Sequence, residues 1–244
     1  MPGILAMAVA AMLAGFGGFG LNLFGSPLLL LLYGPKMAVG MTLMLSLVTT
    51  AAAAVVPDRG GTVERKTVAL LSAASLAGLP VGALILAWSD PRTLRLLIGM
   101  VVVISAALSL RARRVGVGVG LGTTSGAALA AGVISGVLST STALNGPPLV
   151  AYYTARGVGK ATFRASVAAT LFITTAASIA VLLLGGAVGP ATALAIVPLV
   201  PGVLVGFAAG TYLYQRASAE QFRGVVLLGM AGIGVVTILS ALGV

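Results

Sequence analysis

Apolar residues run almost without interruption along this 244-residue chain, and the charged residues that punctuate them set the lengths of its elements. The stretches around 37–56, 67–88, 92–110 and 224–243, uncharged apart from Arg92 and Arg95 at the head of the third, each match the ~20 residues of one membrane crossing. Residues 165–215 hold two more, divided at Gly185-Gly186-Ala187-Val188-Gly189-Pro190. These six read as continuous transmembrane helices.

Residues 1–35 and 115–155 do not fit that scheme. Each is too long for one helix and is interrupted by glycine, proline and small polar residues. The first break spans Gly15 to Pro27 (GFGGFGLNLFGSP) and the second Ser135 to Pro148 (SGVLSTSTALNGPP). Both predict discontinuous or re-entrant helices, whose unpaired backbone groups are tolerated at membrane depth only where protein buries them or a wet cavity solvates them. Ser26-Pro27 reads as an N-cap followed by proline at the first helical position, and Asn145-Gly146-Pro147 reads similarly.

The two broken regions are also equivalents in an internal repeat. A shift of 121 places Ala14-Gly15 on Ser135-Gly136, Gly25-Ser26-Pro27-Leu28 on Gly146-Pro147-Pro148-Leu149, and Thr49 on Thr170. A shift of 128 then matches Gly78, Gly82 and Arg95 with Gly206, Gly210 and Arg223. The chain thus divides into a first membrane repeat at 1–114 and a second at 115–244.

Charge decides how the repeats are oriented. If each broken region crossed the bilayer, the fourteen Lys and Arg residues would divide without bias. If each folds back to the side it entered from, Arg59, Arg65, Lys66, Arg111, Arg113, Arg114, Arg156, Lys160, Arg164, Arg216 and Arg223 share one side. Lys36, Arg92 and Arg95 are left on the other. The positive-inside rule makes the larger group cytoplasmic and both termini extracytoplasmic. The expected fold is an all-α polytopic membrane protein of two inverted repeats, each a broken or re-entrant helix followed by three transmembrane helices, with about eight to ten membrane segments.

Composition narrows the chemistry. With 59% hydrophobic and 7% charged residues and a mean hydropathy of +1.16, lipid is the solvent. The net charge of +10 sits in short loop clusters without interleaved aromatics, which argues for topology and against nucleic acid. Cysteine and histidine are both absent, which removes thiolate and imidazole chemistry, and no cofactor or metal is expected. No charge precedes the first apolar stretch, so a cleaved leader is not expected. Asp58, Glu64, Asp90 and Glu220 fall in loops or at helix ends, so no carboxylate relay is placed in the membrane. Neither a nucleophile-and-base pair nor a phosphate-binding glycine loop occurs, so the reading is not an enzyme.

The breaks supply the alternative. Two half-helix N-termini meeting near the midplane would direct free N–H groups and positive dipole ends at one point, which suits a small anion. Neutral polar groups available there are Asn22 and Ser26, flanked by Gly25 and Pro27, and Ser139, Thr140, Ser141, Thr142 and Asn145, flanked by Gly146 and Pro147. Two hydroxyl stripes, Thr42/Ser46/Thr49/Thr50 and Ser166/Thr170/Thr174/Ser178, each lie on one helix face, and Thr49 and Thr170 are superposed by the duplication. The competing reading is structural: glycines for close helix contact, above all Gly78-x-x-x-Gly82 and Gly206-x-x-x-Gly210, and hydroxyls bonded back to their own helix. Lys36, Arg156, Lys160 and Arg164 read as topology charges, with anion attraction as the alternative.

These residues resemble the sulfite exporter TauE/SafE family, also called the toluene-sulfonate uptake permeases. The carriers are the first break with Gly25-Ser26-Pro27, the second with Leu144-Asn145-Gly146-Pro147-Pro148, and the Gly78–Arg95 stretch with its twin at Gly206–Arg223. The resemblance implies a bacterial-type cytoplasmic-membrane permease for sulfite, thiosulfate, a sulfonate or sulfoacetate. Ser139-Thr140-Ser141-Thr142 departs from the family's glycine-rich run, so the resemblance does not choose among these anions. An anion channel, or a non-transporting membrane subunit, stays open, as does homo-oligomerisation.

Overall fold

The computed structural model describes residues 2–17, 21–55, 61–101, 104 and 124–216. The expected span at 224–243 lies outside them. The first broken region gives α1 (Pro2–Gly17) and α2 (Leu21–Leu32), followed by α3 (Pro35–Val55), α4 (Arg65–Trp88) and α5, helical over 91–101. The second gives α6 (Ser125–Thr142) and α7 (Gly146–Ala155). Then come α8 (Lys160–Leu184), α9 (Pro190–Ile196), a 3-10 turn at Val197–Leu199, and α10 (Val200–Arg216). No strand occurs among the described residues.

Among the described residues five stretches are long and apolar enough to cross a membrane, the last running from Pro190 to Arg216 through α9 and α10. Its 3-10 turn has a local cause, since Pro198 and Pro201 have no N–H to continue the α-helical ladder. The turn between α8 and α9 falls at the expected glycines, with Gly186 at φ +67, a conformation that costs a side-chain-bearing residue more. Exposed apolar side chains, among them Trp88, Leu184 and Val205, face outward as lipid-solvated helices require.

Both breaks are narrower than expected. In the second, Ser135 to Thr142 stays helical, and the chain leaves the helix only at Ala143, whose φ of 63 is left-handed. Hydroxyls that might have competed with the helix bond to their own turn, Ser141 to Val137 O (2.7 Å) and Thr142 to Leu138 O (2.8 Å). In the first, α2 begins at Leu21. Ser26 is therefore not an N-cap, and Pro27 is the seventh residue of α2. A membrane helix tolerates such a proline because packed neighbours re-satisfy the freed backbone groups.

Glycines set the two longest helix contacts, α4 on α6 and α1 on α10. A Cβ on Gly78 or Gly82 would collide with Val133 or Val137 O, and one on Gly206 or Gly210 with Ala8 or Met12 O. The two contacts correspond residue by residue. Gly78 meets Val133 O and Val137 N, and Gly210 meets Met12 O and Phe16 N; Gly136 meets Ser75 O, and Gly15 meets Phe207 O. The shift is again 121 for α1 and α6. For α4 and α10 it is 132, one helical turn beyond the 128 at which the two GxxxG patterns match in sequence.

Candidate functional site

The first turns of α2 and α7 converge on one cavity. Its walls are Leu21, Asn22 and Leu23 from α2, Asn145, Gly146 and Pro147 from the second break, and Ser46, Thr49, Thr50 and Ala53 from α3. Ala14, Leu171 and Phe207 complete it. The space is small, ≈ 20 Å³, which is room for about one water molecule.

The helix ends differ in what they offer. Leu21, Asn22 and Leu23 are the first described residues of α2, and residues 18–20 before them lie outside the described residues. Asn145 caps α7 by position without a side-chain bond, and Pro147 and Pro148 follow Gly146, so the Gly146 amide is the one N–H in that end's first three residues. The start of α7 keeps its dipole.

Amides and hydroxyls lock the seam between the breaks. Asn22 Nδ2 donates to Asn145 Oδ1 at 2.6 Å, and Asn145 Nδ2 donates to Ser139 Oγ (3.3 Å) and Thr175 Oγ1 (3.1 Å). Ser135 Oγ donates to Asn145 O (2.8 Å), and Ser26 Oγ crosses to Thr142 O (2.9 Å), one of the unpaired carbonyls at the end of α6. The Ser26 hydroxyl thus closes a helix C-terminus in place of the N-cap expected of it.

Of the expected site residues, Asn22, Thr49, Asn145, Gly146 and Pro147 line the cavity. Ser26, Ser139 and Thr142 stand behind them in the seam. Gly25 packs on Met7, Thr140 donates to Leu79 O (2.7 Å), and Ser141 serves its own helix. Thr170 bonds to Ser166 O (2.9 Å) and is not a cavity wall, so its match to Thr49 does not extend to a shared site. Ser46 and Thr50 were legible as members of the α3 stripe. Thr175 and Ser135 carried no signal beyond being hydroxyls one or more turns from others.

Arg164 departs most from its reading as a loop charge. It is 6% exposed, donates from Nη2 to Gly15 O (3.0 Å) and Thr211 Oγ1 (3.3 Å), and lies 4.1 Å from the centroid of the Tyr214 ring. These two bonds tie the start of α8 to α1 through Gly15 O and to α10 through Thr211. Arg164→Lys keeps the charge but loses the planar fork, and should lower stability by about 1–3 kcal/mol. Thermal unfolding in detergent will measure it; an unchanged midpoint would remove this role. By contrast Arg156 bonds to Thr67 (2.8 Å) and pairs with Glu64 (3.3 Å) nearer the surface, and Lys36 caps Ala87 O (3.0 Å).

Among the described residues no cluster of metal-ligating side chains occurs. A family model described as sulfite exporter TauE/SafE matches residues 3–237. No curated protein and no solved structure matches the chain.

Proposed function

The chain belongs to the sulfite exporter TauE/SafE family and is a multi-pass membrane protein, and from that premise we propose that it is a secondary permease for a small sulfur-containing anion. The anion class is sulfite, thiosulfate, a sulfonate or sulfoacetate. The observation that carries this reading is the meeting of the two broken regions, Asn22 of the first with Asn145 of the second at 2.6 Å, beside one cavity inside the helix packing.

The two halves are inverted repeats that rock about this cavity. Support comes from the reciprocal contacts, in which the first helix of each half packs on the GxxxG helix of the other, and from the eleven-to-three division of Lys and Arg that inversion produces. The cavity favours a carrier: at ≈ 20 Å³ it is smaller than an oxyanion, so its walls must move to admit one. The setting is a bacterial cytoplasmic membrane with both termini outside.

Reconstitution in liposomes tests the function, with sulfite, thiosulfate and sulfoacetate supplied outside. Saturable flux stimulated by the same anion inside is expected. Rates no faster than in empty vesicles for all three would end the permease reading. Orientation is tested separately by cysteines at positions 36 and 113, which should label from opposite sides.

A further inference from the structure

Hydrogen-bond direction in the seam singles out one atom that anion binding alone leaves without a use. Ser178 Oγ donates to Thr174 O (2.7 Å), so in its 2.7 Å contact with Ser139 the proton comes from Ser139. Ser139 can then only accept from Asn145. Asn145 directs both Nδ2 hydrogens to Ser139 and Thr175 and is left with Oδ1 toward Asn22, which answers with its own Nδ2. The chain of donors ends on Asn22 Oδ1, an acceptor with no partner on a cavity-lining side chain that is 5% exposed.

The neighbouring walls have the same polarity. Thr49 and Thr50 commit their protons to Ser46 O (3.0 and 2.8 Å), so toward the cavity their oxygens present lone pairs. Donors at the cavity are the Gly146 amide, the Ser46 hydroxyl and the second Asn22 Nδ2 hydrogen, and acceptors are Asn22 Oδ1 and the Thr49 and Thr50 oxygens. A fully deprotonated oxyanion satisfies the first set and is repelled by the second.

Resting on the permease reading, we propose that the site selects the protonated monoanion of a weak oxyacid, of the hydrogen sulfite type. Its charged oxygens lie toward the Gly146 N–H at the start of α7 and the neighbouring side-chain donors, and its O–H donates to Asn22 Oδ1. Each turnover then carries the substrate's own proton across, with no membrane carboxylate or histidine. The ionisable and charged groups on the surrounding helices are Lys36 on α3, Tyr152 and Tyr153 on α7, Lys160 and Arg164 on α8, and Tyr212, Tyr214 and Arg216 on α10; α1, α2 and α6 carry none. Lys36, Tyr152, Tyr153, Arg164, Tyr212, Tyr214 and Arg216 are not among the cavity walls, so the pH response near neutrality belongs to the substrate.

The test compares sulfite with methanesulfonate, which has a similar shape and no O–H, in proteoliposomes between about pH 6 and about pH 8. KM for total sulfite should rise by about tenfold per pH unit once the monoanion becomes the minor species, and at the lower pH methanesulfonate should bind at least about tenfold more weakly. Asn22→Leu, close in shape but without the acceptor, should lose that discrimination. The wild-type comparisons stand even if this variant fails to fold. Flux with a pH-indifferent KM, or methanesulfonate equal to sulfite, overturns this inference and leaves the permease standing. No flux for any anion overturns both.

Discussion

Asn145→Ala is expected to lower sulfur-oxyanion flux about 100-fold, the loss that about 3 kcal/mol of buried hydrogen bonding corresponds to. The side chain holds three bonds at once, to Asn22, Ser139 and Thr175, and alanine leaves the Asn22 amide without the acceptor that orients it. Backbone-directed bonds from Ser135 to Asn145 O and from Ser26 to Thr142 O survive the change, so the break itself should persist. The variant should therefore extract and elute as wild type while failing in proteoliposomes, with rates normalised to inserted protein. Flux within about twofold of wild type would show that the amide lock is not part of the transport site.

The largest effect on stability should come from Gly210→Val. The new Cβ would strike the Met12 carbonyl with Phe16 N close behind, and both are backbone atoms that cannot turn aside. Helices α1 and α10 would have to separate along their length, costing about 3 kcal/mol or more. Gly78→Val should behave alike, because its neighbours Val133 O and Val137 N stand in the same relation, whereas Gly34→Val, with nothing within 4 Å of the new Cβ, should be mild. Thermal unfolding in detergent ranks the three. If Gly34 and Gly210 respond equally, close helix approach is not what these glycines supply.

Much of this was legible in residue order. Charge spacing located the helices, and glycine and proline located the two breaks, because lipid leaves so few ways to satisfy a backbone. What local pattern could not reveal was set by distant partners. Ser26-Pro27 has the look of a helix start, yet the Ser26 hydroxyl is engaged by the end of α6, and the helix runs through. Arg164 follows Lys160 and Arg156 in a stretch that reads as a loop cluster. Only the packing of α8 against the end of α1 reveals that its guanidinium turns inward.

The repeat register differs between sequence and packing for another reason. Residue identity favours a shift of 128, where Gly78, Gly82 and Arg95 all match, whereas 132 keeps only Gly78 on Gly210; the packing correspondence follows the helix face that meets its neighbour, one turn away. Thr49 and Thr170 show the same limit. The duplication pairs them, but the cavity takes only Thr49, because pairing in sequence does not place both copies at the seam.

The paired prolines that open α7 have a kinetic consequence. Pro147 and Pro148 withhold two amides from the start of α7, so in the proposed carrier that end would hold the anion through Gly146 alone, and unequal holding from the two faces is expected. Detailed balance limits what such lopsidedness can achieve. In a carrier with no second energy source Vmax/KM must be the same from both faces, so the tighter side is also the slower. Under the proposed mechanism the prolines could make the protein resemble an importer or an exporter at saturating substrate, while the gradient of anion and proton alone would set the direction of net flow.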